Sequence, residues 1–208
     1  MAIGPGVGAV AFGLLGLSPA ANRTGPYRRS RPMDDPALPG LAHGVVELAE
    51  WTPRWGELFA VEAARLRGAL GDLAVSVEHY GSTSVPGLVA KPLLDILVGG
   101  PDASDAAPYI TLLMPLGYDY AGNAGVPDHL VFGRGIARTH LVHVMRYGGQ
   151  AWRRALAFRD ALRGDAALRD TYAALKRELA RHHAADRSRY TAGKSAFVER
   201  VLSLTVDE

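Results

Sequence analysis

The order of its sequence patterns predicts an α+β fold for this chain, with a mixed β-sheet, flanking helices and a helical C-terminal segment. Strand-like patterns are concentrated between residues 74 and 145, and helical patterns fill the chain from residue 151 onward. Strands first and helices last is typical of the α+β class. With 208 residues, 48% of them hydrophobic, the chain carries enough apolar side chains for one packed domain.

Charge and cysteine content narrow the classes of function. The 23 Lys and Arg residues nearly balance the 21 Asp and Glu residues, and a net charge of +2 gives no general reason to expect nucleic-acid binding. The absence of cysteine excludes disulfides, thiolate metal sites and a cysteine nucleophile. It fits a reducing compartment, so we expect a cytoplasmic protein.

Residues 1–40 differ in composition from the rest of the chain. The apolar, Gly-rich run from Val7 to Leu17 is shorter than the roughly 20 residues that a membrane-spanning helix needs. The arginines of this segment follow the apolar run, whereas the positive charges of a signal peptide precede its apolar run. We expect a disordered extension over 1–40, a domain over 41–208 and no association with a membrane. A secretory signal and an interaction segment are the alternatives for the extension.

The first globular elements are a short strand and an amphipathic helix. Residues 45–48 are predicted as the strand. Over residues 53–70 the apolar side chains recur with a period of 3.6, which predicts a helix. Pro53 suits its first turn, and Gly71 stands at the expected C-cap.

Two further strands and a helix follow. Residues 74–80 alternate between apolar and polar side chains, as strands do. Residues 93–98 are apolar except for Asp95, a pattern typical of a strand covered on both faces. Asp102 can cap a helix that runs to about Met114.

The second half of the chain is predicted to hold three strands and then three helices. The strands are expected near residues 117–120, 129–132 and 139–145, and the helices over 151–163, 166–183 and 187–203.

The loop YGSTSVPGLVAKP between two predicted strands carries the chemistry of a phosphate site. Gly81 lets backbone N–H groups approach a ligand, Ser82 adds a hydroxyl, and Lys91 adds a positive charge. Asp95, in the strand that follows, can hold a divalent cation. Together these are the minimal set for nucleotide chemistry. The alternative is an ordinary turn, with Asp95 as an ion-paired core acid and Lys91 solvated.

The run EHYGSTSVPGLVAKPLLDILV, residues 78–98, closely resembles the signature of the GrpB family, also called UPF0157. The similarity extends from Val45 to about Leu202 and includes Arg138-Thr139-His140 and the late Tyr190-Thr191 and Lys194 set. The resemblance implies a nucleotidyltransferase-like mixed sheet, and a role in nucleotide or coenzyme metabolism.

The chain departs from the nucleotidyltransferase pattern at one acid. That pattern has two acids two residues apart, which lie on one strand face and hold Mg²⁺. Here Asp95 is followed by Leu97. Four residues are candidates to replace the missing acid: Glu78, His79, His140 and His143. In a regular strand His140 and His143 face opposite sides. Metal ligation, a role as general base or substrate contact, and a structural role all stay open for these histidines.

The resemblance implies the following site. Asp95 and His143 are the expected catalytic residues, and Asp95 and Glu78 the expected ligands of a Mg²⁺ ion. The expected substrate or phosphate contacts are Gly81, Ser82, Thr83, Lys91, Arg138, His140 and Lys194. A salt bridge to Asp160 or Glu178 is the competing role for Lys194.

The function that this site implies is transfer of a nucleoside monophosphate from an NTP to an unknown small acceptor. The expected partner is therefore a nucleotide or another phosphate-bearing small molecule. One alternative is a non-catalytic nucleotide- or coenzyme-binding module on a degenerate nucleotidyltransferase fold. The other is different chemistry that uses the histidines and Asp95 in the same pocket.

Overall fold

The computed structural model describes residues 38–42, 44–123 and 128–205. The predicted extension over 1–40 lies outside the described residues apart from its last three. Of these, Leu38 is buried in the main hydrophobic core. Among the described residues, no helix combines the length and the apolar character needed to cross a membrane.

One five-stranded mixed sheet forms the centre of the fold. Its strands are β1 (Ser76–Tyr80), β2 (Leu94–Gly100), β3 (Tyr118–Gly122), β4 (His129–Arg134) and β5 (His140–Arg146), in the order β1-β2-β5-β4-β3. The central pair, β2 and β5, is parallel, and the other neighbouring pairs are antiparallel. The predicted α+β class is confirmed.

Helices cover both faces of the sheet. They are α1 (Arg54–Leu70), α2 (Ala107–Leu113), α3 (Gln150–Gly164), α4 (Ala166–His182), α5 (Arg187–Ala192) and α6 (Ser195–Thr205). Helices α1 and α2 pack on one face and bury the main core there. Helix α3 packs on the other face, where Leu97 and Met145 meet Trp152 and Ala155. Helices α3, α4 and α6 form a further core with the loop between β1 and β2.

The sheet register decides which side chains share a face. Tyr80 lies opposite Asp95 across β1 and β2, and Val131 lies opposite His143 across β4 and β5. Because side chains alternate along a strand, Asp95, His143 and His129 all point to the α3 face. His140, three residues before His143, points to the α1 face, as its spacing predicts.

Most predicted elements are confirmed within a few residues, and three are wrong. Residues 45–48 form no strand, because Val46 N–H donates to Ala184 near the helical end instead of pairing in the sheet. Asp102 caps no helix; it accepts from Ser104 N–H at 2.9 Å, and α2 begins only at Ala107. The helix predicted over 187–203 is divided into α5 and α6.

The break between α5 and α6 has a packing cause. Gly193 ends α5, and a Cβ at that position would lie 2.4 Å from Leu179 of α4. The chain therefore turns at Gly193 and Lys194 while it lies close against α4. Periodicity cannot predict this break, since the apolar spacing continues through it.

Candidate functional site

Asp95 stands at the centre of the candidate site, on the α3 face of the sheet. Its side chain is 23% exposed. The backbone at Gly81 lies directly against it, because a Cβ built on Gly81 would be 2.4 Å from Asp95 Oδ2. Gly81 also has a φ of 66°, which glycine tolerates far better than other residues. The structure thus brings together the Gly-Ser loop and the acid on the next strand.

Two histidines extend from Asp95 across the sheet. His143 Nε2 lies 3.7 Å from Asp95 Oδ1, and His143 Nδ1 lies 2.9 Å from His129 Nε2. Burial lowers the pKa of His129 to about 3, so His129 is neutral. Since both ring nitrogens of His143 already face protein groups, His143 is placed to orient Asp95 rather than to contact a ligand itself.

Asp95 is held in its ionised form. Burial acts to raise its pKa, but the hydrogen bond from His143 and the charges of Lys91 and Arg187 contribute to a net lowering of that pKa below its ordinary value. The 3.7 Å separation from His143 makes that contact mainly electrostatic. Asp95 is therefore a carboxylate that attracts and orders cations around itself.

Three cationic side chains interact electrostatically with Asp95 and have no acidic or hydrogen-bonding side-chain partner among the described residues. Lys91, Arg187 and Lys194 form no ion pair and no side-chain hydrogen bond with any residue that the structure describes. Burial and the charges of Arg187 and Lys194 lower the pKa of Lys91 to about 7, although Asp95 opposes this. Burial likewise lowers the pKa of Lys194 to about 8, with Arg187 adding to the effect against Asp95.

Lys194 is positioned by an aromatic ring rather than by an acid. Its Nζ lies over the Tyr190 ring, 4.7 Å from the centroid. It makes no salt bridge to Asp160, which instead pairs with Arg159 at 2.7 Å, or to Glu178. The Tyr190 hydroxyl is buried and has no hydrogen-bond partner among the described residues. A buried polar atom without a partner indicates that a water molecule or ligand belongs beside it.

The remaining cations near the loop are engaged, and they fix its path. Arg159, Arg163, Arg169 and Lys176 donate to the main-chain carbonyls of residues 79, 84, 86 and 89 respectively. The Ser84 hydroxyl also donates to the Gly81 carbonyl at 2.6 Å. The loop that touches Asp95 is therefore held from its carbonyl side by α3 and α4.

A cleft of about 430 Å³ opens beside these cations. Lys91 and Arg187 line it together with Arg138 and Asp119, and its other walls are mostly apolar, formed by Leu41, Ala42, Val45, Leu93, Gly135 and Ile136. The Arg138 guanidinium pairs with both carboxylate oxygens of Asp119, with Nη2 at 2.6 Å from Oδ2. Arg138 is thus neutralised, so Lys91 and Arg187 supply the uncompensated charge of the cleft.

Several predicted site residues lie elsewhere. His140 contacts Arg134 at 2.9 Å on the α1 face, where burial and the Arg134 charge lower its pKa to about 3. Thr83 is buried, and its hydroxyl lies 3.1 Å from His79 Nε2. His79 in turn stacks on Phe59, with ring centroids 4.6 Å apart. These residues support the sheet and the loop but do not reach the cleft. Ser82 is partly exposed at the start of the loop.

The residues present do not fit a Mg²⁺ site made by the protein alone. The described residues contain no group of three or more His, Asp or Glu side chains arranged to hold a metal ion. Glu78 accepts from Arg159 at 3.0 Å, and Leu97 is completely buried. Asp95 is then a single carboxylate under the influence of nearby cations, and those positive charges, rather than the number of carboxylates, disfavour a Mg²⁺ ion beside it.

Two residues of the site were missed from the sequence. His129 begins a weakly predicted strand, and only the β4–β5 register places it beside His143. Arg187 is the first residue of α5, and its position in the cleft depends on where α5 packs. Neither residue carries a local signal that would have identified it.

Fold and site together define a mixed α+β protein with a cation-lined cleft at the side of its central sheet. The family model described as "GrpB protein" matches residues 45–204. The chain therefore belongs to the GrpB family, as its motifs indicated.

Individual relatives agree with this assignment. The UPF0157 protein of Halalkalibacterium halodurans is 41% identical over 160 residues, which cover 76% of this chain and 80% of that protein. The glutamate-rich protein GrpB of Alkalihalophilus pseudofirmus is 30% identical over 170 residues, covering 79% of this chain and 98% of that protein. The crystal structure of the conserved protein GrpB from Enterococcus faecalis is similar with a TM-score of 0.71 and 35% identity, covering 76% of this chain and 96% of that one.

Proposed function

We propose that this protein binds a nucleotide or another phosphate-bearing small molecule in the cleft beside Asp95. One observation carries the proposal: the charges of Lys91, Arg187 and Lys194 act on one carboxylate, and none of the three forms an ion pair or a side-chain hydrogen bond with a described residue. The other nearby cations all donate to protein groups. The three that do not are therefore the ones available to a ligand.

The electrostatics of the free site favour an anion. Burying cations without partners is unfavourable, and the lowered pKa values of Lys91 and Lys194 are the consequence. A bound anion removes this cost by pairing with both ammonium groups. Arginine and lysine are also the side chains that most often bind phosphate, arginine through its planar fork and lysine as a point charge.

The rest of the cleft suits the remainder of such a ligand. Its volume of about 430 Å³ lies in the range typical of small-molecule sites. The apolar side chains of Leu41, Val45, Leu93 and Ile136 give it walls against which a planar or aliphatic group can pack. A molecule with an anionic end and a less polar body matches this division.

Nucleotidyl transfer is the reaction that we propose for the site. Its support is the contact between the Gly81 loop and the ionised Asp95, next to cations that can hold phosphates. A nucleoside monophosphate would pass from an NTP to a small acceptor, with pyrophosphate as the leaving group. The second candidate is a non-catalytic binding module, favoured by the buried Leu97 at the position of the second acid.

Calorimetric titration tests the binding proposal. The four NTPs and coenzyme A are titrated into the wild type and into Arg187→Gln. The matched control is Arg177→Gln, because Arg177 pairs with Glu50 on an exposed surface. We expect at least one ligand to bind, and Arg187→Gln to weaken it about tenfold or more, while Arg177→Gln leaves it unchanged. Absence of binding by every ligand would overturn the proposal.

A pyrophosphate-release assay on any NTP that binds separates the two candidates. Release that depends on an added acceptor supports transfer. Binding without release across a panel of hydroxyl and amine acceptors supports the binding module.

A further inference from the structure

We infer that the site around Asp95, next to the cleft, binds its phosphate group without a divalent metal ion, with Lys91, Arg187 and Lys194 taking the place that Mg²⁺ occupies in sites built on paired carboxylates. This inference rests on the proposed function. It concerns how the charge of the ligand is neutralised, and it predicts results that differ from those of a metal-dependent site.

The first argument is the supply of carboxylates. Leu97 occupies the position two residues after Asp95 and packs with Met145 and Trp152, fully buried. Glu78 points to the same face of the sheet, but its carboxylate accepts from Arg159 and from the Ser76 hydroxyl, both at 3.0 Å. A second carboxylate would become available only if that ion pair were broken.

The second argument is the electrostatic field around the carboxylate of Asp95. The charges of Lys91, Arg187 and Lys194 all act on Asp95, and the His143 N–H faces one of its oxygens. A divalent cation placed at Asp95 would be repelled by the positive charges of these three side chains. Asp95 is thus better suited to order the cations than to hold a metal.

The third argument is the charge balance. With both lysines protonated, three positive charges and one negative charge leave the site with a surplus of two. A phosphate dianion, such as a phosphomonoester or the terminal phosphate of a nucleotide, matches that surplus without help from a metal. The two ammonium groups and the guanidinium also provide enough N–H donors for all three terminal phosphate oxygens.

The experiment compares the wild type and Asp95→Asn by calorimetric titration of inorganic pyrophosphate and sulfate, in excess EDTA and in excess MgCl₂. The pH is kept well below 7, because the pKa of Lys91 is about 7 in the wild type and Asp95→Asn removes a charge that raises it. Circular dichroism confirms that the variant is folded. Sulfate serves as a dianion with little affinity for Mg²⁺.

Asp95→Asn gives results of opposite sign for the two kinds of site. In the metal-free site the substitution removes the carboxylate on which the three cations act, while Asp119 stays paired with Arg138, so we expect the affinity in EDTA to increase several-fold. In a metal-dependent site the same substitution removes a ligand of the metal and abolishes binding. For wild type we expect binding in EDTA at least as tight as in MgCl₂, because free Mg²⁺ competes for pyrophosphate.

The possible failures can be told apart. Pyrophosphate binding that needs Mg²⁺ and is lost in Asp95→Asn would overturn this inference and leave the proposed function standing. Absence of binding by both anions, together with absence of binding by the NTPs and coenzyme A, would overturn the proposed function itself.

Discussion

Gly81→Ala tests the central contact of the site, that of the loop backbone with Asp95. The substitution adds one methyl group at a position where φ is 66° and ψ is −171°. That Cβ would lie 2.4 Å from Asp95 Oδ2 and 2.8 Å from Asp95 Cβ. Relief of the overlap requires the loop or the Asp95 side chain to move, which would disturb the contact with His143.

Two costs add in this variant. A non-glycine residue in this sparsely populated region of backbone conformation costs about 1–3 kcal/mol. Inserting a methyl group into a tightly packed position costs about 1–3 kcal/mol more. We therefore expect the free energy of unfolding to fall by about 2–6 kcal/mol, the sum of these two effects.

Gly148→Ala is the matched control. Gly148 has a φ of 67°, and a Cβ there would meet no atom within 4 Å. It carries the backbone cost alone, so we expect a loss of about 1–2 kcal/mol. Urea denaturation followed by circular dichroism measures both variants against wild type.

The difference between the two variants contains the cost of the contact with Asp95, together with any difference in backbone cost between the two positions. If Gly81→Ala and Gly148→Ala lower the free energy of unfolding equally, the loop does not pack against Asp95. The geometry on which the site rests would then be refuted. A larger loss in Gly81→Ala, together with weaker phosphate binding, would support it.

Two more predictions concern ionisable groups. The dissociation constant for sulfate, which stays dianionic, should rise as the pH passes from about 7 to above 8. The reason is that Lys91 and Lys194 deprotonate in the free site over this range and must take up protons to bind an anion. Calorimetric titration of sulfate across this pH range measures the effect, and a dissociation constant independent of pH would contradict it. Glu62→Gln should lower the free energy of unfolding at neutral pH by about 3 kcal/mol, because it breaks a buried ion pair with Arg134. Burial acts to raise the pKa of Glu62, but the charge and hydrogen bond of Arg134 and the charge of Arg65 contribute to a net lowering on folding. This stabilisation is therefore present above the unfolded pKa and lost as the pH falls through the folded one. Urea titrations at neutral and acid pH, with exposed Glu57→Gln as control, should show the loss only at neutral pH; equal effects of the two variants would refute the buried pair.

Local sequence patterns are sufficient to predict much of the fold. The helix predicted over 53–70 is α1, with Gly71 at its C-cap, because amphipathic spacing and a glycine stop are both encoded within the segment. The apolar run around Asp95 is β2, central in the sheet and covered on both faces. The strand predicted over residues 45–48 is absent, because a short apolar run does not determine which backbone groups its own N–H and C=O groups will pair with.

The sequence by itself determined the family, the order of elements, the Gly81 loop before Asp95, and the lack of a second acid at Leu97. These are local features, readable from periodicity, turn chemistry and motif. Only the tertiary structure decided that Arg187 reaches the cleft, that His129 lies beside His143, and that His140 points away from both. Such contacts depend on strand register and helix packing between segments distant in the chain. Their energies come from burial and pairing that exist only after the chain has folded, so no window of sequence contains them.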